Sequence, residues 1–99
     1  IKMYCALSKT TVAQVLGKQV LRSGTSVGAN YREANRARSK VEFISKMGDC
    51  LKELDETAYW LELLVESGIV RQTTMAELLN ETDQLTAIFV AIINKAKNP

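Results

Sequence analysis

The chain has 99 residues, 46% of them apolar and 24% charged, with a formal net charge of +2. These values fit a single globular domain over residues 1–99 and exclude collagen-like and Pro-rich disordered chains, and no apolar run approaches the roughly 20 residues of a membrane span. The chain contains no histidine, which removes the commonest general base and the commonest metal ligand.

The first predicted element is the end of a helix over residues 1–7, followed by a polar loop over residues 8–11. Met3 and Tyr4 are among its apolar residues. The chain begins at Ile1 without an initiator Met or a basic leader. We therefore expect this helix to be truncated relative to the intact protein, and we expect no secretory signal.

A second helix is predicted over residues 11–37, although the stretch Ser23-Gly24-Thr25-Ser26 resembles a break. The apolar face keeps its phase at about 100° per residue through this stretch. That phase favours one helix, kinked at most, over two short helices that meet at a turn. The small residues there predict the closest approach of a neighbouring helix. The predicted buried face consists of Val12, Leu16, Val20, Ser23, Val27, Tyr31 and Ala34.

A third helix is predicted after a turn at residues 37–40. Ser39 and Glu42 form a Ser-x-x-Glu capping box at its start, and Gly68 provides a stop. Its apolar residues follow the alternating spacing of three and four that is typical of a coiled coil. The predicted seam is Ile44, Met47, Leu51, Leu54, Ala58, Leu61 and Val65, and Tyr59, Trp60 and Leu63 extend the apolar surface beyond it. We expect this extension to be covered by another helix or by a second subunit.

The fourth helix is predicted after a connection over residues 68–74. Thr74 and Glu77 form a second capping box, while Lys95 and Lys97 suit the negative end of the helix dipole. The predicted seam is Leu78, Thr82, Leu85, Phe89, Ile92 and Ala96. The sequence therefore predicts an all-α fold, an up-and-down four-helix bundle with a short first helix.

Charge is divided between the two halves of the chain. Residues 1–48 contain nine Lys or Arg and two acidic residues, a net charge of +7, whereas residues 49–99 carry −5. Four cations of the second helix project onto one narrow arc, a basic stripe, and two more follow in the turn. The predicted nucleic-acid-binding residues are Lys18, Arg22, Arg32, Arg36, Arg38 and Lys40. The alternative is that these cations pair with acidic residues of the third and fourth helices.

The polar residues do not predict an active site. Serine and threonine lack a nearby base, and the Glu-x-x-His pairs of a di-iron bundle cannot occur without histidine. We therefore expect no catalytic residue, no metal and no cofactor. The residues predicted to form polar contacts between helices are Ser26, Asn30, Glu33, Glu53 and Glu56. Cys5 and Cys50 are interpreted as reduced core residues, which favours a cytoplasmic protein.

Two stretches carry a family resemblance: Leu21 to Ala34, read as LRSGTSVGANYREA, and Leu51 to Leu64, read as LKELDETAYWLELL. They resemble the four-helix-bundle proteins encoded in intervening sequences of bacterial large-subunit ribosomal RNA genes. The resemblance covers about residues 16–70 well and the last helix only by pattern. It implies an up-and-down four-helix bundle and a ring-like homopentamer, and it implies no catalytic residue.

Relatives of that family include the accessory proteins of diversity-generating retroelements, which are basic pentameric barrels. This similarity implies RNA or DNA at the basic stripe and a nucleic-acid-processing protein as a partner. The leading hypothesis is therefore a non-enzymatic, oligomeric bundle that binds RNA through the second helix. The alternative hypothesis is a protein interaction scaffold whose basic and acidic faces pair between subunits, without nucleic acid.

Overall fold

The structure is a computed structural model that describes residues 3–4 and 10–98. This part of the chain is all-α and contains three long helices: α1 (Thr11–Asn35), α2 (Lys40–Glu66) and α3 (Gln72–Lys97). Met3 and Tyr4 are also helical, whereas the rest of the predicted first helix lies outside the described residues. The all-α prediction is confirmed, and three of the four predicted helices are described.

Helix α1 passes through the Ser-Gly-Thr-Ser stretch without interruption, so the prediction of one helix is confirmed. The hydroxyls in this stretch bond within the helix. Ser23 Oγ donates to the Gln19 carbonyl at 2.9 Å, and Thr25 Oγ1 donates to the Leu21 carbonyl at 2.8 Å. Because both hydroxyls have partners on the preceding turn, they do not compete with the helical backbone.

The buried face of α1 is rotated slightly from the predicted one. Val12 and Tyr31 were predicted to be buried, but they are 56% and 38% exposed. Ala13 and Gly17 are buried in place of Val12 and Leu16, the latter being half-buried. The buried residues of α1 are Ala13, Gly17, Val20, Ser23, Val27 and Ala34. These mostly small side chains allow α1 to lie close against α2.

Helix α2 begins and ends as predicted. The Ser39 side chain accepts a hydrogen bond from the Glu42 amide at 3.1 Å, and Gly68 adopts φ of +76° just beyond the last turn. That positive φ favours glycine, because a Cβ there crowds the backbone. The capping serine and the terminating glycine are therefore both local signals that the fold preserves.

The seam of α2 was predicted only in part. Met47, Leu54 and Leu61 are buried as expected, but the other buried positions fall one residue before the predicted ones. The buried residues are Met47, Cys50, Leu54, Thr57, Leu61 and Leu64, and the predicted positions Ile44, Leu51, Ala58 and Val65 are half-buried. The shift arises because α2 packs against α1 and α3 together, so its most buried line lies between the two neighbours.

The predicted capping box at Thr74 is wrong. Helix α3 begins at Gln72, and Arg71 caps it without a side-chain hydrogen bond. The Arg71 carbonyl already accepts from the amides of Thr74 and Met75, both at 3.1 Å, so the backbone is helical before the box. In the predicted seam, Thr82 and Phe89 are buried, and Leu78, Leu85, Ile92 and Ala96 are half-buried. Met75 and Ile93 complete the buried face.

The three helices run up, down and up, and α2 is the central one. Helices α1 and α3 both pack on α2. Tyr31 of α1 is also stacked on Phe89 of α3, with ring centroids 5.5 Å apart. One core cluster lies toward the α1–α2 turn and a second lies toward the other end. None of the three helices is both long and apolar enough to cross a membrane.

Candidate nucleic-acid interface

Arg22, at the centre of the predicted basic stripe, is occupied by contacts with α2. Its guanidinium donates to Glu56 Oε2 at 2.9 Å and to Glu53 Oε2 at 3.3 Å, and its Nε donates to Gln19 Oε1 at 3.1 Å. The hydrogen bond with Arg22 lowers the pKa of Glu56, and the same bond raises the pKa of Arg22. Arg22 therefore links two helices, and its guanidinium already has two carboxylate partners.

A second ion pair joins the same two helices nearer the turn. Lys46 Nζ lies 2.8 Å from Glu33 Oε2, and this contact raises the pKa of Lys46. Three residues predicted to form polar contacts between helices, Glu33, Glu53 and Glu56, are thus found in ion pairs between α1 and α2.

The other two residues predicted to form polar contacts between helices are Ser26 and Asn30. Ser26 and Asn30 are half-buried and, among the described residues, neither hydrogen-bonds to a facing helix. The buried polar contact lies at Ser23, whose Oγ accepts from Thr57 Oγ1 at 2.8 Å. The sequence contains a signal for this contact, because Ser23 has the phase of the buried face of its helix and Thr57 lies midway between the seam residues Leu54 and Leu61.

Cys50 lies on the same buried line of α2. Its Sγ is 3.7 Å from the Val27 carbonyl, and burial raises the pKa of its thiol. A raised pKa keeps the thiol protonated, so Cys50 behaves as a small core residue and not as a nucleophile. Cys5 lies outside the described residues.

Four of the predicted cations lie together where α1 ends and α2 begins. Arg32, Arg36, Arg38 and Lys40 are all exposed, and no ion pair involves them within the described part of the chain. Lys18 is also exposed, but 18 residues of helix separate it from Arg36, a distance of about 27 Å at 1.5 Å per residue. The predicted stripe is therefore divided, with Lys18 at one end, Arg22 neutralised in the middle and four cations at the other end.

Two further cations join these four from α3. Because α3 is antiparallel to α2, its last turn lies at the end where α2 begins, and Lys95 and Lys97 are exposed there. The packing of Ile93 and Ala34 into one core cluster confirms this placement. We call this surface the basic end; its cations are Arg32, Arg36, Arg38, Lys40, Lys95 and Lys97.

The basic end contains little negative charge. Over residues 32–42 and 84–98 the acidic residues are Glu33 and Glu42, and Glu33 is paired with Lys46. The sequence pattern assigned Lys95 and Lys97 only to the helix dipole. The absence of acidic residues over residues 84–98 is visible in the sequence, but only the direction of α3 shows which other cations lie at the same end of the bundle.

The opposite end carries acidic residues on α2 and α3. Its acidic side chains are Glu62, Glu66, Glu77, Glu81 and Asp83, and all of them are exposed. Lys18 and Arg71 are the cations near them in the described part of the chain. The charge difference between the two halves of the sequence thus becomes, in large part, a charge difference between the two ends of the described bundle.

A groove of about 1170 Å³ lies between α1 and α3. Met3 and Tyr4 line it, and Tyr4 donates a hydrogen bond to Gln14 Oε1 at 3.2 Å. A Cβ added at Gly24 or Gly28 would meet no atom within 4 Å, so these glycines do not lie against α2, whereas Ser23 contacts Thr57 of α2. No group of three His, Cys, Asp or Glu side chains suited to a metal occurs among the described residues.

The chain is similar to a known protein family and to a solved structure. The family model of the 23S rRNA-intervening sequence protein matches residues 1–91. The chain is also similar to a solved structure, a protein with unknown function from the S23 ribosomal protein family from Bacteroides thetaiotaomicron VPI-5482. The TM-score is 0.77 and the identity 43%, with 80% of this chain and 73% of that chain covered. No curated protein matches.

Proposed function

The chain belongs to the 23S rRNA-intervening sequence protein family, and from this premise we propose that it is a non-enzymatic, oligomeric helical-bundle protein that binds RNA or another nucleic acid. The proposed contact is the basic end. Arg22 is left out of it, because its guanidinium is already bound to Glu53 and Glu56. Lys18 is left out as well, because it lies at a distance along α1.

One observation supports the proposal more than any other: six exposed cations come from three helix ends at one end of the bundle. Among the described residues, Glu42 is the one carboxylate there without an ion pair. Unpaired cations in one place repel one another, and a polyanion relieves that repulsion while it releases its own counterions. Cations that served only the internal electrostatics of the bundle would have carboxylate partners, as Arg22 and Lys46 do.

Charge reversal tests the proposal. We expect Arg32→Glu plus Arg36→Glu to weaken binding of a labelled RNA hairpin at least roughly tenfold at 50 mM salt, because two phosphate contacts become repulsive. The matched control is Lys18→Glu plus Lys52→Glu, which changes the net charge equally at two exposed positions away from the basic end. Fluorescence anisotropy gives the affinity, and light scattering gives the mass of each variant.

Equal losses in the two double variants would show a response to overall charge alone and would rule out the basic end as the site. The absence of any RNA binding at 50 mM salt in the unmodified protein would rule out the proposed function itself. In that case the scaffold alternative predicts that Arg32→Glu plus Arg36→Glu lowers the mass of the oligomer instead.

Self-association is part of the proposal, with a homopentamer as the expected assembly. It is supported by apolar side chains left exposed on α1 and α2, where Val12 is 56%, Val15 55% and Tyr59 54% exposed. Exposed apolar area of this kind is covered when subunits associate. The mass of the unmodified protein by light scattering tests the number of subunits.

The groove between α1 and α3 supports the proposed four-helix bundle. In an up-and-down four-helix bundle the second and fourth helices lie diagonally across from each other, and the first helix fills the space between them. In the predicted bundle, the second and fourth helices are α1 and α3. The separation of α1 and α3, with helical Met3 and Tyr4 seated in the groove, fits that arrangement. The proposed setting is the cytoplasm, and a nucleic-acid-processing protein is a proposed partner by the resemblance to retroelement accessory proteins.

A further inference from the structure

We infer that the basic end fits the two phosphate rows of a nucleic-acid duplex and not a single strand. The inference rests on the proposed nucleic-acid binding and specifies the form of the ligand. It depends on two features of the structure, the arrangement of the cations and the positions of the aromatic rings.

The cations of the basic end are spread in two dimensions. They come from the end of α1, the start of α2 and the end of α3, and the described molecule is 46 Å long but 20 by 17 Å across. A duplex presents one phosphate charge per roughly 1.7 Å of its axis in two rows, whereas one strand presents one per roughly 3.4 Å. A cluster that covers the end of the bundle therefore contacts more phosphates on a duplex.

Among its described residues, the basic end also lacks a series of exposed rings on which successive bases stack. Single-strand binding proteins combine a cationic track with exposed aromatic side chains. Near the basic end, Tyr31 is 38% exposed and is stacked on Phe89 with an interplanar angle of 14°, so that one face of its ring is covered. Phe43 is half-buried against the core. Tyr59 and Trp60 are about 28 to 30 Å along α2 from Lys40 at 1.5 Å per residue. Among the described residues, an unpaired strand would find one ring with one face covered here, and not the series of rings on which successive bases stack.

These features predict binding that does not depend on the nucleotide sequence of the ligand. The cations contact phosphates, which carry no sequence information, and α2 and α3 place only their ends at this surface, so no helix face is available to enter a groove and contact base edges. Affinity should therefore depend on whether the nucleic acid is paired and on the salt concentration, but little on base composition.

The test compares three labelled probes by fluorescence anisotropy, at 50 and 200 mM salt: an unstructured RNA strand of ~20 nucleotides, the RNA duplex that it forms with its complement, and the DNA duplex of the same sequence. We expect each duplex to bind at least roughly tenfold more tightly than the strand. A duplex preference shared by RNA and DNA assigns the phosphate rows as the ligand, and a preference for RNA alone adds the 2′-hydroxyls.

Removing the contribution of α3 sharpens the test. Lys95→Gln plus Lys97→Gln should reduce the slope of log affinity against log salt for the duplex by up to about 2, with little effect on the single strand. The matched control, Lys18→Gln plus Lys52→Gln, should leave the duplex slope unchanged. Circular dichroism shows whether each variant retains its helices.

The outcomes separate this inference from the proposed function. A single strand that binds as tightly as the duplexes overturns the duplex inference and leaves nucleic-acid binding in place. A duplex slope that is unchanged in Lys95→Gln plus Lys97→Gln also overturns it, because the cations of α3 would then contact no phosphate. Failure of all three probes to bind at 50 mM salt overturns the inference and the proposed function together.

Discussion

The contact of α1 with α2 and the contact of α3 with α2 are formed by different kinds of side chain. Helix α1 buries small residues such as Ala13, Gly17 and Ser23 and has polar links to α2 along its length. Helix α3 buries larger residues, Met75, Phe89 and Ile93 among them. Between α2 and α3 no ion pair or side-chain hydrogen bond occurs within the described residues.

The difference shows two ways in which one helix is held by its neighbours. On the α1 side, the bond from Thr57 to Ser23 and the ion pairs of Arg22 and Lys46 each require one axial position, so they specify register. On the α3 side, burial of large apolar side chains stabilises the contact without fixing its details, because the hydrophobic effect has no direction.

The largest effect is expected on the α3 side. Phe89→Ala should lower the free energy of unfolding by about 3 to 5 kcal/mol, because it removes a ring that is 5% exposed and stacked on Tyr31. The matched control is Val90→Ala on the same helix, at a side chain that is 41% exposed, and it should change stability by only about 0.5 kcal/mol. Urea denaturation measures both; a loss below about 1 kcal/mol for Phe89→Ala would contradict the assigned packing.

A comparable loss is expected at the centre of the core. Leu54 is 4% exposed and belongs to the cluster that α1, α2 and α3 share. Leu54→Ala should cost about 2 to 5 kcal/mol, enough to threaten a domain of this size. The check is thermal denaturation, and a shift in Tm of only a degree or two would mean that Leu54 does not lie on the buried line of α2.

A smaller effect is expected for the buried hydroxyl pair. A double-mutant cycle with Ser23→Ala and Thr57→Val should give a coupling free energy of about 0.5 to 1.5 kcal/mol, the usual range for a neutral hydrogen bond. Each substitution conserves most of the side-chain volume, so cavity formation contributes little. Denaturant titration of the four proteins gives the coupling; a value near zero would show that Ser23 and Thr57 are buried independently.

The smallest effect is expected at the surface ion pair of Arg22. Because Arg22 lowers the pKa of Glu56, the stabilisation is fully present above the ordinary glutamate pKa of about 4.3 and is lost as pH falls through the lower pKa of the folded state. Arg22→Gln should therefore differ from the unmodified protein near neutral pH and converge with it in strong acid. Titration of the Glu56 carboxyl by NMR should show its pKa rising in Arg22→Gln, and an unmoved pKa would contradict the ion pair in solution.

The local features of the fold could be predicted from the sequence. The cap at Ser39, the end of α2 at Gly68 and the continuity of α1 through Ser23 all depend on bonds within four or five residues of each other. A pattern of side chains over such a short distance is sufficient to specify these bonds. The capping box at Thr74 failed for a related reason, because the backbone bonds of Arg71 begin the helix one turn earlier.

Features that depend on neighbouring helices could not be predicted in the same way. Whether Leu64 or Val65 is more buried depends on how α1 and α3 share the surface of α2. The periodic pattern of apolar residues does not distinguish two buried faces that differ by one residue. The state of Arg22 depends on carboxylates more than 30 residues away. The basic end exists because antiparallel packing places the last turn of α3, with Lys95 and Lys97, at the end of the bundle where α2 begins. The sequence thus specifies helices and charges through short-range bonding, while the packing of distant segments selects which charges are neutralised and which stay exposed.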